Sequence, residues 1–363
     1  MAPPLPHLER DAQVPLASAF QWQQDRCTAS GSPIAAAVLN VCAGWAQRCG
    51  PQVGLPLDSV RFGDHIPLRL MAAVHFLAIT RAAARLAMYF PTLGGQASTA
   101  STGDAMFHDL VSAALDDNHE TVRDFMARAP QTNEPGRVAV LHTALTQLGA
   151  SQQIDLHELG CSAGLNLVQA SAGPLARHIA AAAGCDVEPV DVLTVQGRSL
   201  LSSYIWVDDI DRFNRLGDTI TRALAHPPTI IQLTASRYLA DLQPMPGHTT
   251  VLWQSALAPY LDADEHAALE EQVALLAARM PAGSRLAYAT WEDAGDSTDP
   301  MHAFALRLRT WRNCAHRGKS ACADSAHRDE TDSATAAGAC ESSDSVIARG
   351  SSHGAHIVLT TGQ

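Results

Sequence analysis

Glu158-Leu-Gly-Cys-Ser-Ala-Gly164 is the stretch whose reading decides the fold. Ile154-Asp-Leu-His-Glu-Leu159 runs into it as a short strand, and Leu165-Asn-Leu-Val168 opens a helix directly after it. A strand, a glycine turn and a helix in that order bring the unpaired N–H groups of a helix start up to a ligand, and the small turn residues let the backbone approach it. The pattern Glu-x-Gly-x-Ser-x-Gly makes Glu158, Gly160, Ser162, Gly164 and the first-turn Asn166 candidates for holding a nucleotide or adenosyl group. The same letters also spell a nucleophile elbow centred on Ser162. Asp293 and His353 follow in the order a serine hydrolase would need.

Outward from this turn the chain alternates. Ser199 to Ala225 reads as one helix, stopped by Pro227-Pro228. Thr229-Ile-Ile-Gln-Leu233, Thr249-Thr-Val-Leu-Trp-Gln-Ser255 and Ser284-Arg-Leu-Ala-Tyr-Ala-Thr290 read as strands. Asp262 or Asp264 caps a helix over Glu265–Met280. Strands separated by helices predict a parallel sheet wound with helices. Ala305–Trp311 and His356–Leu359 alternate with period two and predict a closing antiparallel hairpin. The Ser-, Ala-, Asp- and Gly-rich run between them, 314–345, predicts a disordered insertion. Upstream, Pro67–Ile79 and the spacing of Phe107, Leu110, Val111, Ala114 and Leu115 indicate helices, with Asp104 placed to cap the second. The domain expectation is an all-helical region over 1–150, serving as lid and substrate wall, and an α/β domain over 151–363.

The bulk numbers restrict the function classes. With 363 residues, 47% hydrophobic and 17% charged, the chain can bury a large core. A net charge of −12 disfavours general nucleic-acid binding. Nothing approaches about 18 consecutive apolar residues, so no membrane span is expected. The N-terminus lacks a basic-then-apolar signal pattern. The eight cysteines, at 27, 42, 49, 161, 185, 314, 322 and 340, form no Cys-x-x-Cys pair. Free thiols and a cytoplasmic location follow as expectations, and the Cys and His residues near 314–340 fit no zinc spacing.

Four further groups stand out. Gln131-Thr-Asn-Glu-Pro-Gly-Arg137 is dense in directional hydrogen-bonding groups, and Arg137 can fork onto a carboxylate. Gln131, Asn133, Glu134 and Arg137 are therefore lid or substrate candidates. Asp186, near Glu188 and Asp191 where the second strand ends, is placed to accept from ribose hydroxyls. Ser255 and Tyr260 follow the fourth strand on the ligand-binding side of such sheets, and Glu292 ends the fifth. His75 and His142 read as satisfied residues of helical faces.

Taken together, these stretches resemble a bacterial family, domain of unknown function 2332. The likeness runs through Gly31-Ser-Pro33, Leu70–Leu77, Tyr89-Phe-Pro91, Gln131–Arg137, Glu158–Leu167, Gly184–Asp191, Ile205-Trp-Val-Asp208, Trp253-Gln-Ser255 and His353-Gly354. It implies a Rossmann-like sheet of the S-adenosylmethionine methyltransferase type and supplies no reaction. The chain departs from the family pattern at Leu233-Thr234, at Gln254 and in Val168–Ala172. The resulting expectation is an S-adenosylmethionine-dependent methyltransferase acting on a small molecule. The alternatives are a cofactor-binding or interaction module without turnover, and a hydrolase using Ser162.

Overall fold

The computed structural model describes residues 12–56, 58–98, 101–149, 152–296, 302–313, 339–354 and 356–360. In chain order it begins with β1 (Gln13–Pro15), α1 (Leu16–Ala29), α2 (Pro33–Cys49), β2 (Ser59–Arg61), α3 (Ile66–Ile79), α4 (Ala105–Asp116) and α5 (His119–Ala127). Next come α6 (Val138–Leu148), β3 (Ile154–Leu159), α7 (Leu165–Ala172), β4 (Ile179–Asp186), α8 (Val195–Ser203) and α9 (Ile210–Ala225). The remainder is β5 (Thr229–Gln232), α10 (Ala235–Asp241), β6 (Thr249–Ser255), α11 (Ala263–Ala278), β7 (Arg285–Asp293), β8 (Phe304–Asn313), β9 (Ala339–Gly350) and β10 (Val358–Leu359).

The chain forms two compact units. One comprises Met1–Asn133 and Val190–Ala225, the other Glu134–Pro189 and His226–Gln363. This division differs from a boundary at 150: α6 belongs with the sheet, and α8 and α9 belong with the N-terminal helices.

The first unit is helical but not entirely so. β1 and β2 pair antiparallel, Val14 opposite Val60, a pairing too short to show periodicity in the sequence. The predicted single helix 199–225 is broken between α8 and α9 because the backbone there is engaged elsewhere. The Ile205 carbonyl bonds His75 Nδ1 at 2.9 Å, and the Val207 carbonyl accepts from the Thr92 N–H and hydroxyl at 3.1 and 3.0 Å. Asp208 Oδ2 then accepts the Ile34 N–H at 2.7 Å, capping α2 from a distance. Asp104 stands at the start of α4 without a side-chain capping bond.

The second unit is α/β, with a mostly parallel central sheet in the order β10-β9-β8-β7-β6-β3-β4-β5. β5, β4, β3, β6 and β7 are mutually parallel, and β7, β8, β9 and β10 are antiparallel neighbours. One face is closed by α6 and α7 through Leu141, Leu145 and Leu167. The other is closed by α10 and α11 through Leu239, Leu269 and Val273. β6 is buried at every position, as a strand covered on both faces is, with the apolar Val251-Leu252-Trp253 at its centre. Asp262 and Glu265 form a capping box at the start of α11.

The closing element departs from expectation. β8 pairs with β9, and the residues near 358 pair with β9 rather than with β8. Residues 314–338 of the predicted insertion lie outside the described residues, but Ala339 onward is strand. Its polar composition is compatible with an outer strand because cross-strand pairs support the backbone ladder: Arg307 grips Asp344 through two bonds, and the Thr310 and Ser343 hydroxyls meet at 2.9 Å.

Candidate functional site

Parallel pairing aligns the carboxyl ends of β4, β3, β6 and β7: Leu159 lies beside both Cys185 and Gln254, and Ser255 beside Trp291. The order reverses between β3 and β6, which is where open α/β sheets bind ligands. Glu158, Asp186, Ser255 and Glu292 all stand at this edge.

The turn after β3 is tightly wound. Gly160, Ser162 and Gly164 all have left-handed φ, at 69°, 52° and 66°. Both the Gly160 and Cys161 N–H groups donate to the Cys185 carbonyl, at 2.9 and 3.0 Å. The Ser162 N–H donates to Asp186 Oδ2 at 2.7 Å, and the other Asp186 oxygen accepts from Glu188 N–H at 2.9 Å. Asp186, the candidate ribose partner, thus braces the turn. The glycines are also closely packed. A Cβ at 160 would lie 2.7 Å from Leu257 Cδ1, and one at 164 would lie 2.8 Å from Pro228 Cβ. Those directions are filled by protein rather than left open to a ligand.

Glu158 is 1% exposed. Its Oε1 accepts from Asn166 Nδ2 at 2.9 Å, but its Oε2 and the Asn166 Oδ1 are buried acceptors without a donor. Burial pushes the Glu158 carboxyl up to about 8, against the pull of Asn166 and Arg137. The carboxyl of Glu292 is likewise raised by burial. Its Oε1 accepts from Gln254 Nε2 at 2.8 Å and from the Leu257 and Ala258 N–H groups at 3.0 and 3.3 Å, while its Oε2 has no donor. Tyr288 donates its hydroxyl to the Gln254 amide oxygen, which fixes that amide.

Arg137 is the cation between them. Its charge acts on both Glu158 and Glu292. It donates Nε to the Ser352 carbonyl at 2.9 Å and Nη1 to the Ser255 carbonyl at 3.2 Å. Glu134 caps the short turn Pro135–Arg137 by accepting the Gly136 N–H.

The remaining candidates separate. Gln131 and Asn133 are buried but belong to the helical unit, whereas Glu134 and Arg137 belong to the sheet unit. Ser255 is buried at the end of β6, and Tyr260 closes the short helical turn Ala258–Tyr260. Asp293, the acid a Ser162 hydrolase would use, is exposed and bonds the Gly295 N–H of its own turn. Cys27, Cys42, Cys49, Cys161 and Cys185 form no disulfide. Among the described residues no group of His, Cys, Asp and Glu is arranged to hold a metal ion, and no helix is long and apolar enough to cross a membrane. Sequence reasoning missed Leu257 and Tyr288. One is an unremarkable loop leucine and the other an apparent core tyrosine, and only the tertiary structure gives them a role.

Residues 17–171 and 168–328 match the family described as an uncharacterized protein conserved in bacteria, DUF2332. The chain belongs to this family. No curated protein matches it. Among solved structures, the rRNA methyltransferase aviRa from Streptomyces viridochromogenes is similar over 43% of this chain and 73% of its own, at 18% identity and a TM-score of 0.25. A likeness that loose carries neither a fold nor an activity to this family member.

Proposed function

We propose that the sheet unit of this DUF2332 protein is a Rossmann-like, S-adenosylmethionine-dependent methyltransferase domain acting on a small-molecule acceptor. The observation that carries the reading is the pair of donorless buried acceptors, Glu158 Oε2 and Asn166 Oδ1, at the reversal point of the sheet. Buried polar atoms are almost always satisfied, so two adjacent exceptions call for a donor-rich ligand. The local charge gives the sign of that ligand. Glu158 and Glu292 are two buried acids beside one buried arginine, and a cation bound there would draw off the proton that burial keeps on Glu158.

S-adenosylmethionine fits on both counts. When bound it supplies an amino group and a methyl carried on positive sulfur. Glu158 and Asn166 would accept from the amino group. Each Asp186 oxygen keeps a lone pair for a ribose hydroxyl while holding the turn in shape. The parallel order β5-β4-β3-β6-β7 agrees with the reading, because it is the 3-2-1-4-5 order of doubly wound nucleotide-binding sheets. Ser255, the last residue of β6, and Tyr260 beyond it would line the acceptor side, and the protein's part in the transfer would be to position the acceptor in line with the methyl.

Isothermal titration calorimetry with S-adenosylmethionine and S-adenosylhomocysteine tests this. Binding to the wild type is expected, weakened about tenfold or more in Glu158→Gln, which keeps the shape but cannot ionise to meet a bound cation. A well-folded protein that binds neither compound would overturn the reading and leave an interaction module without cofactor.

A further inference from the structure

Glu292 is the penultimate residue of β7, one strand away from Ser255 and two from the Gly160 turn, and it makes more bonds than a strand end requires. One of its oxygens gathers the side chain of Gln254 and two successive backbone N–H groups, those of Leu257 and Ala258. The loop so gathered leaves β6 through Ala256, a non-glycine residue with left-handed φ of 52°, whose N–H is tied to the Trp291 carbonyl at 2.9 Å. Arg137 holds the same loop from the other side through the Ser255 carbonyl. A left-handed alanine persists only where its surroundings over-determine it. The result of all these tethers is the position of one side chain: Leu257 fills the space directly over Gly160, where a Cβ would meet Cδ1 at 2.7 Å and Cδ2 and Cγ at 3.2 Å.

We infer that Glu292 is a positioning residue, which fixes the loop after β6 so that Leu257 braces the Gly160 turn and couples the acceptor-side loop to the cofactor-side turn. The inference rests on the proposed function for its meaning, since the turn is taken as the cofactor site. Its geometry does not depend on any ligand. Glu292 acts through Leu257, and a ligand seated on the turn would meet a loop already fixed by this carboxylate.

Hydrogen–deuterium exchange on the ligand-free protein, read in segments 158–168 and 254–262 with 285–290 as control, tests the coupling. Glu292→Ala is expected to speed exchange in both test segments and leave the control protected. Leu257→Ala is expected to speed it in 158–168 while the Ala258 amide, still bonded to Glu292, stays protected. Glu292→Gln keeps a carbonyl acceptor and is expected to restore protection in both segments. Unchanged exchange in 158–168 for both alanine variants, or failure of glutamine to restore it, would overturn the inference. In parallel, S-adenosylhomocysteine affinity is expected to fall about tenfold in Leu257→Ala, the scale of one lost apolar contact. If the wild type binds no S-adenosylhomocysteine, the cofactor reading fails on that result alone, and the exchange pattern still decides the coupling.

Discussion

His75 in the helical unit and Glu158 in the sheet unit are both titratable and both buried, yet their surroundings are opposite. His75 has no exposed surface, and each ring nitrogen has a partner. Nδ1–H donates to the Ile205 carbonyl, which fixes the tautomer, and Nε2, 3.0 Å from the Thr92 hydroxyl, shares that hydroxyl's one proton with the Val207 carbonyl. Burial lowers its pKa to about 4, so it stays neutral. Glu158 is equally enclosed, but half of its carboxyl and half of the Asn166 amide that holds it lack donors. The first arrangement is complete within the chain and ties Leu70–Leu77, Tyr89–Pro91 and Ile205–Asp208 together. The second is complete only with something added. Burial alone therefore does not tell the two arrangements apart. The distinction lies in whether the partners are present.

The largest effect expected from this contrast is at His75. His75→Ala removes a fully buried ring and strands the Ile205 carbonyl, costing about 3 kcal/mol or more in unfolding free energy. Urea denaturation measures it. S-adenosylhomocysteine affinity of the folded variant should match that of the wild type. A loss of binding with little loss of stability would break the comparison, because His75 would then belong to a site.

At Glu158 the expectation is a pH dependence. In an unfolded chain this carboxyl loses its proton near 4.3, whereas in the folded protein it does so at about 8. Between those values the folded state keeps a proton that the unfolded state has lost. Stability therefore falls as pH rises through the window and levels off above it. Glu158→Gln does not titrate. Its stability relative to the wild type should grow from about pH 5 to about pH 8, on the order of a few kcal/mol. Thermal melts at three pH values across that window are sufficient. A constant difference would mean that Glu158 has a partner in solution, and the contrast with His75 would lapse.

The sequence made much of this legible. β3 and β6 are readable to the residue, one because a glycine turn ends it and the other because burial on both faces leaves an unbroken run, Thr249–Ser255. The glycines at 160 and 164 are readable as necessary for the turn, and both have the left-handed φ it needs, but a second reason for them is not readable. A single chain shows that no side chain is wanted there; it does not show that Leu257 and Pro228 occupy the space. β9 is hidden because its residues are those of a solvated loop, and what orders it, the pairing of Arg307 with Asp344, joins positions 37 apart. The break between α8 and α9 is hidden for a similar reason: its carbonyls are captured by His75 and Thr92, more than a hundred residues earlier.

The smallest effect sharpens the comparison inside the sheet unit itself. Gly160→Ala forces a left-handed φ of 69° on alanine and pushes a methyl into Leu257. The backbone part costs about 1 kcal/mol and the overpacking about 1 more. Leu257→Ala should relieve only the second part. In the double variant the two costs should therefore fall short of additivity by about 1 kcal/mol, leaving the backbone part alone. Strict additivity would mean that Leu257 moves aside freely and does not brace the turn. The shortfall would show that the glycine is required twice, once for the path of its own backbone and once for the residue seated over it.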